Sequence, residues 1–351
     1  MKGWSQTTCG QAVIVLGMTT LIVLAPGFLE PYELMQATSF AALSMLALSL
    51  GFIWGFGGIL SFGQAAFFGL GAYSYAVTSI NFGDSTSAVA VAVAVPGLLA
   101  GALGYFMFYG RISDAYISVV TLTVTLVLFN LVNSTAGDEY RIGIAALGGF
   151  NGMPSVPGLN VPFNASAQLD IEQTWYAVAG FLVLVYTALA SFLASRFGRA
   201  VVAIRENEVR ASLLGYDPRS YKLLIFVMGG GIAGLAGAFF TAWGAFVSPT
   251  IFGLALSGEV VVWVMVGGLR SLIGPIFGCS LVKFLVSEVG AQQAINPNLI
   301  LGAVLMVFVL LVPTGLVPLV RDYILTVILR IKRGPSSINT TEAVPAEERS
   351  A

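Results

Sequence analysis

Histidine is absent from all 351 residues, cysteine occurs only twice, and just 9% of the side chains are charged. The missing histidine removes the usual proton shuttle and the commonest metal ligand, and no cluster of Cys, Asp and Glu replaces it. Cys9 and Cys279 belong to no Cys-x-x-Cys pair and sit in separate apolar stretches, so both read as small packing residues. No G-x-x-x-x-G-K-[S/T], G-x-S-x-G, H-E-x-x-H or D-D-x-x-D run occurs. The chain is therefore expected to have no catalytic, cofactor-binding or metal-binding residues and not to be an enzyme. Lacking a phosphate cradle, it must leave any ATP-driven work to another protein. The net charge of −1 is uninformative here, because the location of charge matters and the sum does not; nucleic acid is not an expected partner.

What is abundant is apolar surface: 57% of residues are hydrophobic and the mean hydropathy is +0.89. Soluble domains carry roughly a quarter charged residues. Runs of around 20 apolar residues recur along the chain, which predicts an all-α, polytopic membrane protein with about ten transmembrane helices. Barrel strands alternate about ten residues at a time, and these runs do not. The predicted spans are 11–29, 34–55, 59–80, 88–109, 116–134, 175–195, 223–243, 258–269, 273–289 and 299–320. The third is rich in glycine and polar residues and the eighth is short, so either is a candidate broken or re-entrant helix. Lys2 and the apolar stretch after it imitate a signal peptide, but no small-x-small cleavage site follows and a retained first span is expected.

Charge placement orients this plan. With the N-terminus inside, Lys2, Arg111, Arg196, Arg199, Arg205, Arg210, Arg219, Lys222, Arg270, Arg321, Arg330, Lys332, Arg333 and Arg349 all fall on the cytoplasmic side. Arg141 alone falls outside and Lys283 alone within a span. Both termini are thus expected in the cytoplasm, with a transmembrane domain over 1–331 and a polar, disordered tail over 332–351. The external loop 135–174 holds a Gly-Gly-Phe-Asn-Gly run and three prolines. It reads as an ordered, turn-rich cap, either a docking surface for an external protein or a plain connector.

The densest charge lies at 196–222, where six of the sixteen basic residues stand among Glu206, Glu208 and Asp217. One helix is expected from about Arg199 to Leu214, with Glu206 and Arg210 paired i,i+4. Gly215 can stop it, and Asp217-Pro218 delays its resumption. Such a helix cannot lie inside a bilayer. It rests on the lipid surface or is gripped by a partner, and the second reading is preferred.

Within the spans, ionisable groups are costly and default to function. Glu259 and Glu288 are expected near the outer ends of spans eight and nine, with Lys283 deeper. A Glu259–Lys283 ion pair fixing two helices is one reading; lining a solute path, with Glu259 attracting an ammonium or amide donor, is the other. Trp263, one turn beyond Glu259, walls the same path or packs the core. Gln64 lines the path or bridges helices. Gly230 and Gly234 stand in G-x-x-x-G register, and Gly237 continues the small-residue face, as tight helix packing requires. Gly57-Gly58 and Gly267-Gly268 open two similar turns, a possible parallel repeat.

Together FGQAAFFGLGAY (62–73), GRAVVAIRENEVRASLLGYDPRSYK (198–222), GGGIAGLAGAFF (229–240), SGEVVVWVMVGGLRSLIGP (257–275) and LVPTGLVP (311–318) resemble the LivM-like permeases of bacterial ABC importers. That family moves branched-chain amino acids and has relatives for urea and short amides. The resemblance implies that 196–222 is the coupling loop docking on an ATPase subunit, with Arg205, Glu206, Asn207, Glu208, Arg210, Ala211 and Gly215 as its contact stretch. Glu208, Ala211 and Gly215 look like an EAA…G pattern, from which Val209 and Arg210 depart. Implied partners are two ATPase subunits using ATP and Mg, a LivH-like second permease, a periplasmic solute-binding protein, a small polar solute and membrane lipid. The implied location is the bacterial inner membrane. Segments 259–268 and 214–218 are similar to the urea and amide branch, which stands as the alternative to a branched-chain amino acid. An ion-coupled secondary transporter is the rival of another class; it calls for acids near the midplane.

Overall fold

The computed structural model describes residues 8–137, 139–162, 164–291, 302, 306, 315–317 and 319. Most of the expected tenth span, and the tail at 332–351, lie outside the described residues. Helices dominate: α1 (Thr8–Phe28), α2 (Pro31–Gly57), α3 (Gln64–Phe82), α4 (Ser85–Tyr109) and α5 (Asp114–Asn133) precede the long loop. After it come α6 (Ile171–Ala194), α7 (Arg196–Glu206), α8 (Glu208–Leu213), α9 (Pro218–Gly244), α10 (Leu254–Gly267) and α11 (Ile273–Ala291). Among the described residues six helices are long and apolar enough to cross a membrane: α1, α2, α4, α5, α6 and α9. This is a helical membrane architecture.

Local signals set the boundaries. Asp84 caps α4 by accepting from the backbone N–H of Thr86 (3.2 Å) and Ser87 (3.1 Å). Glu30 and Glu33 form a capping box ahead of α2, and Asp170 with Gln173 does the same for α6. Asp217 caps α9 and Pro218 is its first residue, so Asp217-Pro218 starts the next helix. The seventh span accordingly begins five residues before the expected 223. Gly58 and Gly268, in the two similar turns, both close a helix with positive φ, at 74° and 107°.

Helix α9 is the hub, packing on α2, α3 and α4. Its glycines make that possible. A Cβ on Gly230 would stand 2.6 Å from that of Ala100, and one on Gly234 would overlap the carbonyl of Ala92. One on Gly237 would overlap the carbonyl of Phe68, while Gly71 of α3 lies directly against Gly234. Backbone thus meets backbone along two faces of one helix. Phe67 and Phe108 close edge-to-face on Phe226 beside it.

The loop end is stitched across the chain by short strand pairs: β1 (Arg141–Ile142) with β2 (Ala145–Ala146), and β4 (Asn160–Val161) with β5 (Asn164–Gln168). A third pair joins β3 (Met153–Pro154) to β6 (Phe246–Val247), immediately after α9. Asn160 anchors the loop on α4, its Oδ1 accepting from the Ser85 backbone N–H at 2.8 Å. Beyond β6 the chain turns inward. A 3-10 turn at Pro249–Phe252 packs on α3 and α5, with Phe252 stacked on Tyr73 and filling the space above Gly69. Gly69 lies within α3, so α10 starts inside the bundle and needs only 14 residues. Of the two spans expected to be irregular, the eighth is the broken one. The third is an ordinary helix that begins at Gln64, five residues later than expected.

Gly237→Ala tests the hub. Overpacking against the Phe68 carbonyl should cost about 1–3 kcal/mol and lower the melting temperature in detergent. Gly180→Ala in α6, where nothing lies within 4 Å, should leave it unchanged or raise it.

Candidate functional site

The charged segment is two helices, not one. Ser195 starts α7, its Oγ accepting from the Gly198 N–H at 3.2 Å, and the helix buries Gly198, Ala200, Val201 and Ile204. At Asn207 the backbone turns extended (φ −159°, ψ 100°), and Asn207 Oδ1 accepts from the Arg210 N–H at 2.8 Å to cap α8. The expected continuous helix over 199–214 breaks there because an asparagine side chain satisfies a helix start better than a helix interior. Glu206 and Arg210 flank the break, so their expected i,i+4 pairing does not form. Gly215, at φ +88°, ends α8 as its conformational freedom permits.

Each predicted residue of the segment now has a place. The Arg205 guanidinium donates to the Gly55 carbonyl at the end of α2, and its stem lies against Gly58. Burial pulls this guanidinium below its ordinary value, opposed by Glu206 and aided by Arg270. Arg205 therefore clamps α7 to α2. Glu208 pairs with Lys222 of α9 at 2.7 Å, and Ala211 faces inward, buried. Glu206, Asn207 and Arg210 are exposed.

What sequence reasoning passed over is apolar. Val209, Leu213 and Leu214 are 70%, 82% and 78% exposed, with Tyr216 beside them at 42%. They form a greasy knob at the tip of the most charged stretch of the chain. The signal was present: Val209 and Leu213 are i,i+4 partners on the face opposite Ala211.

A second group lies within the bundle. Lys283 Nζ sits 2.9 Å from Glu259 Oε2 and 5.0 Å from the centroid of the Trp263 ring. The two charged side chains are 24% and 22% exposed, while Trp263 is buried with its Nε1 unpartnered among the described residues. The pair is deeper than expected. Ser280 meets Ser44, the midpoint of α2, at 3.4 Å, and Lys283 is only three residues further along α11, about 4.5 Å. Glu259 is not near an outer surface because the inward turn before α10 carries its first turn down into the bundle. Glu288, by contrast, is exposed. Gln36 donating to Ser287 continues the polar seam between α2 and α11. Gln64 is buried, accepting from Ser49 Oγ at 3.0 Å, and bridges α3 to α2; its Nε2 has no partner among the described residues.

Comparison with known proteins decides the family. Residues 34–312 match the model of the family described as branched-chain amino acid transport system / permease component. The chain belongs to this permease family. It is 27% identical to the high-affinity branched-chain amino acid transport system permease protein LivM of Escherichia coli K12, over 93% of this chain and 79% of that one. It is 26% identical to the permease protein LivH of Salmonella typhimurium LT2, over 78% of this chain and 90% of the relative. The inner membrane ABC transporter permease protein YjfF of Escherichia coli K12 is also 26% identical, over 85% and 89%. No solved structure matches. A LivM-like permease thus holds a partly buried ion pair within its bundle; the match favours this family over a secondary transporter, and the named relatives carry no urea or amide assignment.

The ion pair sets the next expectation. Lys283→Met leaves Glu259 unpartnered at mid-depth and should cost about 3 kcal/mol. Adding Glu259→Gln should recover much of that. Thermal unfolding of the two variants in detergent measures the difference.

Proposed function

We propose that this chain is one membrane half of an ATP-driven importer of branched-chain amino acids, spanning the inner membrane about ten times with both termini in the cytoplasm. One of two ATPase subunits docks on the cytoplasmic segment 196–222, a LivH-like permease completes the pathway, and a periplasmic binding protein delivers solute to the loop side. ATP and Mg are bound by the ATPase subunits. The observation that carries this reading is the exposed knob of Val209, Leu213 and Leu214 at α8, in a stretch that also exposes Glu206, Arg210 and Asp217. An apolar centre with a polar rim is the make-up of a protein-binding surface.

Such docking turns a chemical event in the partner into a mechanical one here. Closure of the ATPase subunits displaces α8, the Arg205–Gly55 clamp passes that displacement to α2, and the helices rock between inward- and outward-open states. The Glu259–Lys283 pair, partly exposed and backed by the buried Trp263 ring, would offer a zwitterionic solute one charge of each sign. No bond in the solute is broken.

Uptake of labelled leucine by cells with and without the gene tests the solute. Gene-dependent uptake competed by isoleucine, and not by urea or acetamide, is the expected result; gene-dependent uptake of urea with none of leucine would overturn it. For docking, Leu213→Asp should weaken co-purification of the ATPase about tenfold or more while leaving the amount of permease in the membrane unchanged.

A further inference from the structure

Lys222 lies at the junction of three elements. Its ammonium is 2.7 Å from Glu208 of α8 and 3.6 Å from Asp114, the first residue of α5, while its own backbone belongs to α9. The Lys222 side chain is only 13% exposed, whereas the two carboxylates are 50% and 65% exposed. One half-sheltered cation therefore holds two acids from two different helices. It lines a cleft of about 400 Å³ together with Arg111, Asp114, Ile117, Glu208 and Arg219.

The two tethered helices share one property: each fully buries few residues. Helix α8 buries a single residue, Ala211. Helix α5 buries only Ile117, Thr121 and Thr125 along 20 residues, far fewer than α2 or α9. At the charged end its other ties are Ser118 Oγ donating to the Leu60 carbonyl at 2.8 Å and Thr121 Oγ1 accepting from the Phe62 N–H at 3.2 Å. Elements with few buried contacts are those that move at low cost. Helix α5 also packs on the inward turn at Pro249–Phe252, which feeds α10 and so Glu259.

We propose that Lys222 is a positioning residue that transmits displacement of α8 to α5, through Glu208 on one side and Asp114 on the other. This rests on the reading of α8 as the ATPase-docking helix. A path then runs from docking surface through α5 to the mid-depth charged group, separate from the Arg205 clamp on α2.

The test uses the assembled complex with its ATPase subunits. Ser134, exposed at the loop end of α5, is changed to cysteine as a reporter in a chain carrying Cys9→Ser; Cys279 is buried. The rate of maleimide labelling is compared with no nucleotide and with ATP trapped by vanadate. In the unaltered junction the rate should differ between the two states by about threefold or more. Lys222→Arg should keep that difference. Lys222→Met and Asp114→Asn should both abolish it, and with Asp114→Asn, which lies outside the docking segment, the ATPase should still co-purify. A nucleotide-dependent difference that survives either of the last two changes, or that is absent from the unaltered junction, overturns the proposal. Co-purification with the unaltered chain tests the docking reading by itself, so the two failures are distinguishable.

Discussion

Backbone-to-backbone contact along α9 is the constraint on which the rest of this structure depends. Lipid tails give helices no hydrophobic reason to associate, so they must gain by close packing. Glycines at 230, 234 and 237 let α9 approach α3 and α4 without intervening side chains. Gly229, whose added Cβ would meet Ile53, does the same toward α2. One helix thereby fixes three others, and whatever is attached to its ends is held relative to that block.

Both ends of α9 carry something. The N-terminal end follows α8 and bears Lys222, which reaches Glu208 of α8 and Asp114 of α5. The C-terminal end runs into β6, paired with β3 of the long loop, and Trp243 Nε1 donates to the Met35 carbonyl at 2.7 Å near the start of α2. The inward turn that follows sets α10 at mid-depth, and with it Glu259. A rigid hub with lightly buried elements at its charged end suits a protein that must rock without coming apart. Charged side chains are densest over 196–222, cap helices at the loop end (Glu30, Glu33, Asp84 and Asp170), and form one partly buried pair within the bundle.

Much of this was legible in the sequence. Apolar runs marked nine of the described helices because a membrane imposes length and hydropathy at once. The small-residue face of α9 was visible as G-x-x-x-G spacing, and the charged island at 196–222 stood out by contrast alone. What escaped was tertiary. The break at Asn207 was hidden because asparagine is merely a mediocre interior residue until a neighbouring N–H comes to it. The depth of Glu259 depended on the turn at Pro249–Phe252, whose inward course is set by Gly69 and Tyr73 of a distant helix. The exposed knob was missed for a third reason. Val209, Leu213 and Leu214 look in sequence like residues waiting to be buried, and only the fold leaves them outside. Lys222 likewise read as one more charge of the island, although it joins helices 108 residues apart in the chain at their Asp114 end.

The most direct measurement is site-specific cross-linking from the knob in intact cells. A short thiol cross-linker would be attached at Leu213→Cys or Val209→Cys in a Cys9→Ser chain, with Ala203→Cys on the neighbouring helix for comparison. The account predicts a product of permease and ATPase subunit from 213 and 209, and little from 203. A 213 product containing lipid or another protein and no ATPase would contradict it.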